Sequence, residues 1–119
     1  MPQLDLSRLL LPARHLHTLQ TLLAQHVPCA EVWAYGSRVN GGAHEGSDLD
    51  VVLRNPADLA QDVEDWFELK EALQESTLPM LVEVHLWSRL PKAFHPNIEA
   101  GYVVLQQGEA EHKEAGDGG

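Results

Sequence analysis

Two short apolar stretches separated by a glycine-rich interval constrain this chain more than any other feature. Ala30-Glu31-Val32-Trp33-Ala34-Tyr35 is stopped by Gly36-Ser37, and Asp48-Leu49-Asp50-Val51-Val52-Leu53 follows ten residues later. β-Branched and aromatic residues bounded by turn formers predict a strand at 30–35 and another at 48–53. The interval 38–47 holds Asn40, Gly41, Gly42 and Gly46 and reads as a loop with room for one helical turn. On the second strand successive side chains point to opposite faces. Leu49, Val51 and Leu53 therefore make a core stripe, while Asp48, Asp50 and Val52 share the other face. Two carboxylates then stand side by side, about 7 Å apart at their backbones.

The flanking segments supply what such strands pack against. Pro12 suits a helix start, Leu16, Leu19, Leu22, Leu23 and His26 recur at helical spacing, and Pro28 ends the pattern, which predicts a helix over 12–26. The spacing of Leu4, Leu6, Leu9, Leu10 and Leu11 decides nothing beyond a short docking segment. Asn55-Pro56 marks a turn. From 58 to 75, Val63, Trp66, Phe67, Leu69 and Leu73 are read as one helical face with the acids on the other. Leu81 to Trp87 is predicted as a strand with Val82, Val84 and Leu86 on the core face and Glu83 turned outward. A short helix through Ile98-Glu99-Ala100 ends at Gly101, and Tyr102 to Leu105 makes a brief last strand. Residues 1–107 form one domain on this reading, and 108–119, small and charged without apolar periodicity, a disordered acidic tail. The order helix, strand, loop, strand, helix, strand predicts an α/β fold: a mixed β-sheet with helices packed on one face and an open, carboxylate-bearing face.

Charge narrows the partners. The formal net charge is −10, from 8 basic and 18 acidic residues. Between 58 and 75 seven acids face one Lys70, and the tail from Glu109 adds four acids against Lys113. These two segments hold nine of the ten excess charges, so a polyanion is repelled and a basic protein partner favoured; direct nucleic-acid binding is not expected. No apolar run approaches the ~20 residues that span a bilayer, so no membrane partner is expected. Acidic Asp5 stands where a signal peptide carries base, and a cytoplasmic protein is expected. Cys29 is the one cysteine, which excludes an intrachain disulfide, and it is read as a small core residue.

A close pair of like charges inside an apolar strand calls for a cation. Mg²⁺ takes hard oxygen ligands, commonly one or two carboxylates with water and phosphate oxygens. If the 81–87 strand neighbours the 48–53 strand, Glu83 joins Asp48 and Asp50 as a further ligand or as a base. Gly36 permits close backbone approach, Ser37 offers a hydroxyl and Arg38 a fixed charge for phosphate oxygens. Taken singly, an Asp-x-Asp or a Gly-Ser is commonplace; their order in this chain is not.

Tyr35-Gly36-Ser37-Arg38, the ten residues 38–47, and Ser47-Asp48-Leu49-Asp50 resemble the G-S-x10-D-x-D signature of polymerase-β-like nucleotidyltransferases. The chain's size is similar to that of the minimal branch of that superfamily. Gly41, Val82-Glu83-Val84, Trp87-Ser88-Arg89-Leu90 and Ile98-Glu99-Ala100-Gly101 extend the likeness over about residues 30–105. Glu83 stands where the family more often carries Asp, and Asn40 where a second basic residue is common. The resemblance implies a small nucleotidyltransferase fold that transfers AMP from ATP to a hydroxyl. It implies Mg²⁺ (or Mn²⁺) on Asp48, Asp50 and Glu83, with the nucleotide on Gly36, Ser37, Arg38 and Ser47. Minimal members resemble antitoxins that adenylylate a tyrosine of a HEPN-domain ribonuclease toxin, so a hetero-oligomer with such a partner is expected. The alternative is a catalytically silent antitoxin that masks its partner sterically. An antibiotic-modifying enzyme fits less well, since those usually need a second domain.

The histidines are read mainly as structural or solvated. His15 and His17 lie two apart on a helix and cannot chelate together, and His44 is taken as a solvated loop residue. His85 shares Glu83's face by strand parity and ranks below the carboxylates as a site residue. Trp33, Trp66 and Trp87 are read as packing residues, as is Tyr35, whose place before the Gly-Ser turn leaves stacking on adenine as the lesser alternative.

Overall fold

A computed structural model describes residues 3–40 and 47–108, with the side chain of Asn40 left aside. Its elements run β1 (Gln3–Leu4), α1 (Ala13–His26), β2 (Glu31–Tyr35), α2 (Ser37–Asn40), β3 (Leu49–Arg54), α3 (Trp66–Gln74), β4 (Val82–Leu86), α4 (His95–Glu99) and β5 (Tyr102–Gln106). Short 3₁₀ turns fall at Leu6–Arg8, Trp87–Arg89 and Lys92–Phe94. The five strands form one mixed sheet in the order β1-β5-β2-β3-β4. β1 lies parallel to β5 and β3 parallel to β4, while β2 is antiparallel to both β3 and β5.

Strand parity sorts the side chains as the sequence predicts. Val32 and Ala34 of β2, Leu49, Val51 and Leu53 of β3, Val82 and Leu86 of β4, and Val103 and Leu105 of β5 face one side. There they meet Leu19 and Leu23 of α1 and Leu69 and Leu73 of α3. Leu19, Leu23 and Leu69 are fully buried, each stabilising the fold by roughly 1.5–3 kcal/mol relative to exposure. Helix α1 ends where Val27 donates its N–H to Leu23 O at 2.8 Å. Gln106 Nε2 then donates to the carbonyls of Val27 and Ala30, fastening that end to β5.

The second face divides into two parts. At one end Trp33, Val52, Trp87 and Ile98 form a smaller cluster under α4 and its preceding turns. Trp33 stacks on Tyr102 with ring centroids 3.8 Å apart. The Arg54 guanidinium lies 3.9 Å above Trp33 and 4.5 Å from Trp87, and pairs with Glu31 at 2.7 Å. At the other end the sheet stays open around Asp50.

Three expectations are corrected. The helix expected over 58–75 begins only at Trp66. Upstream, Asn55 Oδ1 accepts from Ala57 N and Asp58 Oδ1 from Ala60 N, so these side chains close local turns in place of a helix. Asp65 then takes a left-handed backbone, φ 66°, directly before the helix. Phe67 is exposed, because it lies about 100° around the helix from Trp66, off the stripe made by Trp66, Leu69 and Leu73. Cys29 is likewise exposed, in the turn between α1 and β2 and outside the alternation that buries Ala30 and Val32. The expectations for Gly41, His44 and the acidic tail beyond Gly108 fall outside the described residues. Among the described residues no helix is long and apolar enough to cross a membrane.

Candidate active site

The site is assembled by register. In the antiparallel pair, Tyr35 at the end of β2 stands opposite Asp50 of β3; in the parallel pair, Asp50 is matched with Glu83 of β4. Neighbouring strands lie about 4.8 Å apart, so Tyr35, Asp50 and Glu83 form one row across the open face. The adjacency of β3 and β4, only conditional in the sequence, is what joins Glu83 to the aspartate.

Gly36 completes the row. Its φ is +87°, a backbone conformation that L side chains rarely adopt, and a β-carbon there would come within 2.8 Å of Asp50 Oδ2. The carboxylate thus occupies the space that glycine leaves. Val39 N donates to Gly36 O at 2.9 Å, turning the chain immediately into α2. Ser37 opens α2 and is partly buried, as is Ser47 at the far end of the 38–47 interval. Asp48 is exposed one residue ahead of β3. It lies outside the strand to which the alternation assigned it.

Arg38 is buried, at 6% exposure. Its Nη1 donates to Leu10 O at 2.7 Å, and its Nε and Nη2 donate to Ser47 O at 3.1 and 3.0 Å. The guanidinium thereby ties the N-terminal segment to both ends of the loop that leads into Asp48. Leu10 N in turn donates to Arg38 O at 2.7 Å.

Among the described residues no Lys or Arg pairs with Asp48, Asp50 or Glu83; the nearest partly basic group is His85, whose Nε2 is 3.8 Å from Asp50 Oδ1. Tyr35 feels this surface strongly. Burial first, then the negative charges of Asp50 and Glu83, push its phenol well above the usual range. A pocket of about 350 Å³ opens beside the row, lined by Tyr35, Asp50, His85, Leu90, Pro91 and Phe94. Tyr35 and Phe94 meet edge to face with centroids 6.3 Å apart.

The pattern of the Polymerase beta, Nucleotidyltransferase family matches residues 17–110. The chain belongs to this family. It is also 41% identical over 100 residues to a Haemophilus influenzae protein named "Probable protein adenylyltransferase MntA", with 82% of this chain and 83% of that one aligned. The solved structure described as "Crystal structure of the toxin-antitoxin with AMP-PNP" superimposes with a TM-score of 0.62 at 18% identity, covering 84% of this chain and 78% of that one. That likeness is one of fold, and it agrees with the open mixed sheet of a polymerase-β-like nucleotidyltransferase.

For such a nucleotidyltransferase the carboxylates fit a divalent cation in one particular way. Among the described residues no three of His, Cys, Asp and Glu gather as a ready-made metal cage. Magnesium is commonly held by one or two carboxylates and completed by water and substrate phosphates. Asp50, uncompensated by Lys or Arg and partly exposed, with Asp48 two residues before it, has that chemistry. Two residues ranked as packing or secondary in the sequence, Tyr35 and His85, line the site. Strand parity signalled His85, and for Tyr35 the signal was its place directly before Gly36-Ser37. Pro91 and Phe94 carried no signal, and Leu90 entered only through the family-like stretch 87–90, since only the return of the chain after β4 brings them to Asp50.

Proposed function

We propose that the protein transfers AMP from ATP to a tyrosine hydroxyl of a partner HEPN-type ribonuclease toxin and so acts as its antitoxin. The observation that carries this reading is the Asp50 carboxylate, packed against Gly36, matched in register with Glu83 and paired with no Lys or Arg among the described residues. The relative named as a protein adenylyltransferase supports the chemistry, and the toxin–antitoxin structure of like fold supports the setting. Asp48 and Asp50, with Glu83 as a further oxygen donor, would hold Mg²⁺ (or Mn²⁺). The ion, when bound, supplies positive charge to the triphosphate.

On this reading Gly36 and Ser37 border the triphosphate, and Ser47 closes the loop beside it. Arg38 acts from beneath. With three of its N–H groups donating to the Leu10 and Ser47 carbonyls, it sets the position of the turn and of Asp48. Glu83 takes the proton of the acceptor hydroxyl. The acceptor oxygen forms a bond to the α-phosphorus as the bond to the bridging oxygen breaks, and pyrophosphate leaves with that electron pair. Most of the acceleration comes from positioning and charge stabilisation.

The test is intact mass. Incubation with ATP, Mg²⁺ and the partner toxin should add adenylyl groups to the toxin, and the double variant Asp48→Asn, Asp50→Asn should add none. An unmodified toxin with both proteins folded would refute the transfer. Neutralisation that survives the double variant would instead identify a steric antitoxin.

A further inference from the structure

The pocket beside Asp50 has a composition that the transfer of AMP alone does not require. Leu90, Pro91, Phe94 and Tyr35 line it together with two polar residues, Asp50 and His85. Tyr35 is 8% exposed, and the surface it keeps borders the pocket, with its hydroxyl held among the negative charges of Asp50 and Glu83. A ligand oxygen arriving in the pocket would meet that hydroxyl as a hydrogen-bond donor.

Two planar groups compete for such a space, the nucleobase of ATP and the ring of an acceptor. Their distance from the reacting phosphorus separates them. A ribose intervenes between the base and the α-phosphate, whereas a phenol ring is bonded directly to the attacking oxygen. A ring pocket that borders directly on Asp50 therefore suits the acceptor. An aliphatic hydroxyl would leave the apolar walls wet, because about 350 Å³ exceeds what a serine or threonine side chain fills.

Building on the proposed transfer, we propose that this pocket seats the phenol ring of the acceptor tyrosine against the Phe94 and Tyr35 rings, with the Tyr35 hydroxyl donating to the acceptor oxygen. The donated hydrogen bond favours the ionised acceptor, which is the form that attacks phosphorus. The acceptor's proton passes to Glu83, and pyrophosphate departs with the electron pair of the broken bond. The pocket thus selects tyrosine over serine and threonine.

The experiment compares the wild type with Phe94→Leu and Tyr35→Phe. Phe94→Leu shortens one wall, and Tyr35→Phe removes only the hydroxyl while keeping the ring. Binding of Mg²⁺–AMP-PNP is measured by calorimetry. Binding of N-acetyl-tyrosinamide and of N-acetyl-serinamide to that complex is followed through the NMR signals of the Phe94 and His85 rings. Where the wild type transfers AMP to the toxin, KM and kcat for the toxin are added.

The expected result is tyrosinamide-specific shifts at Phe94 and His85, and acceptor affinity or KM weakened about tenfold in Phe94→Leu. In Tyr35→Phe the loss should fall mainly on kcat, and both variants should keep wild-type affinity for Mg²⁺–AMP-PNP. Weakened AMP-PNP binding would assign the pocket to the nucleobase and overturn the proposal. So would equal shifts from serinamide, or none from either amide. A wild type that binds tyrosinamide here yet modifies no toxin would sink the proposed transfer and leave the ring pocket standing.

Discussion

The Asp50 carboxylate lies against the space that the β-carbon of any other residue at position 36 would take, with Oδ2 only 2.8 Å from that point. Position 36 cannot gain a side chain without displacing that carboxylate. Gly36→Ala imposes two costs at once. The positive φ of +87° is strained for alanine by roughly 1–3 kcal/mol, and the new methyl pushes Asp50 out of its row. AMP transfer should fall on the order of 100-fold, as a misplacement of about 1 Å at a reacting centre does. Thermal melting and a transfer assay check both effects; a variant as active as the wild type would show that the close approach is dispensable.

Asp50 also carries a charge that the free protein does not need. Its register partner Glu83 is a like charge, and His85 at 3.8 Å is the one basic group near it among the described residues. Two unit charges about 4 Å apart in water interact by about 1 kcal/mol. Asp50→Asn should therefore leave the melting temperature of the free protein unchanged or slightly raised. The same variant should lose the stabilisation that ligand gives, which for the wild type is about 2.7 kcal/mol at 100 times the dissociation constant of Mg²⁺–ATP. Melting with and without Mg²⁺–ATP separates the two. Destabilisation of the free variant would mean that the carboxylate holds the fold together.

Arg38 should behave in the opposite manner. It is buried, and its fork reaches Leu10 O and Ser47 O from three nitrogens. Lysine keeps the charge but cannot reproduce the fork. Arg38→Lys should cost roughly 1–3 kcal/mol, the usual penalty for stranding buried polar groups, and Arg38→Ala at least as much. Chemical denaturation measures it. An Arg38→Lys variant of unaltered stability whose affinity for Mg²⁺–ATP alone is reduced would move Arg38 from the frame of the site to direct contact with phosphate.

Tyr35 makes stability fall at high pH. An unfolded tyrosine loses its proton near pH 10, whereas in the native state burial and the charges of Asp50 and Glu83 hold the proton to higher pH. Below pH 10 both states are protonated and the group adds no slope. Above it the native state binds more protons than the unfolded one, so stability declines as pH rises. Tyr35→Phe should flatten that alkaline limb, and tyrosinate absorbance should lose its late-titrating component. Identical alkaline limbs in the two proteins would contradict this environment for the phenol.

Much of this architecture is local in origin and can be read along the chain. The alternation Leu49-Asp50-Val51-Val52-Leu53 can satisfy a half-buried strand in one way only, which turns Asp50 away from the core. Val82-Glu83-Val84 does the same for Glu83, and Gly36 announces a backbone that no other residue accepts readily. Where local chemistry competes, the reading slips. The Asn55 amide and the Asp58 carboxylate close turns on their own backbone, so the apolar spacing that begins at Val63 starts before the helix does.

What the chain determined by itself, then, is which side chains leave the core: period-2 and period-3.6 patterns are set by backbone geometry and need no partner to be legible. What only tertiary structure decided is which of those side chains meet. The pairing of β3 with β4 puts Glu83 beside Asp50, the return after β4 brings Leu90, Pro91 and Phe94 over Tyr35, and the N-terminal segment turns Arg38 inward. Each of these contacts joins residues far apart in sequence, and their energies arise from desolvation and close approach that no local pattern encodes.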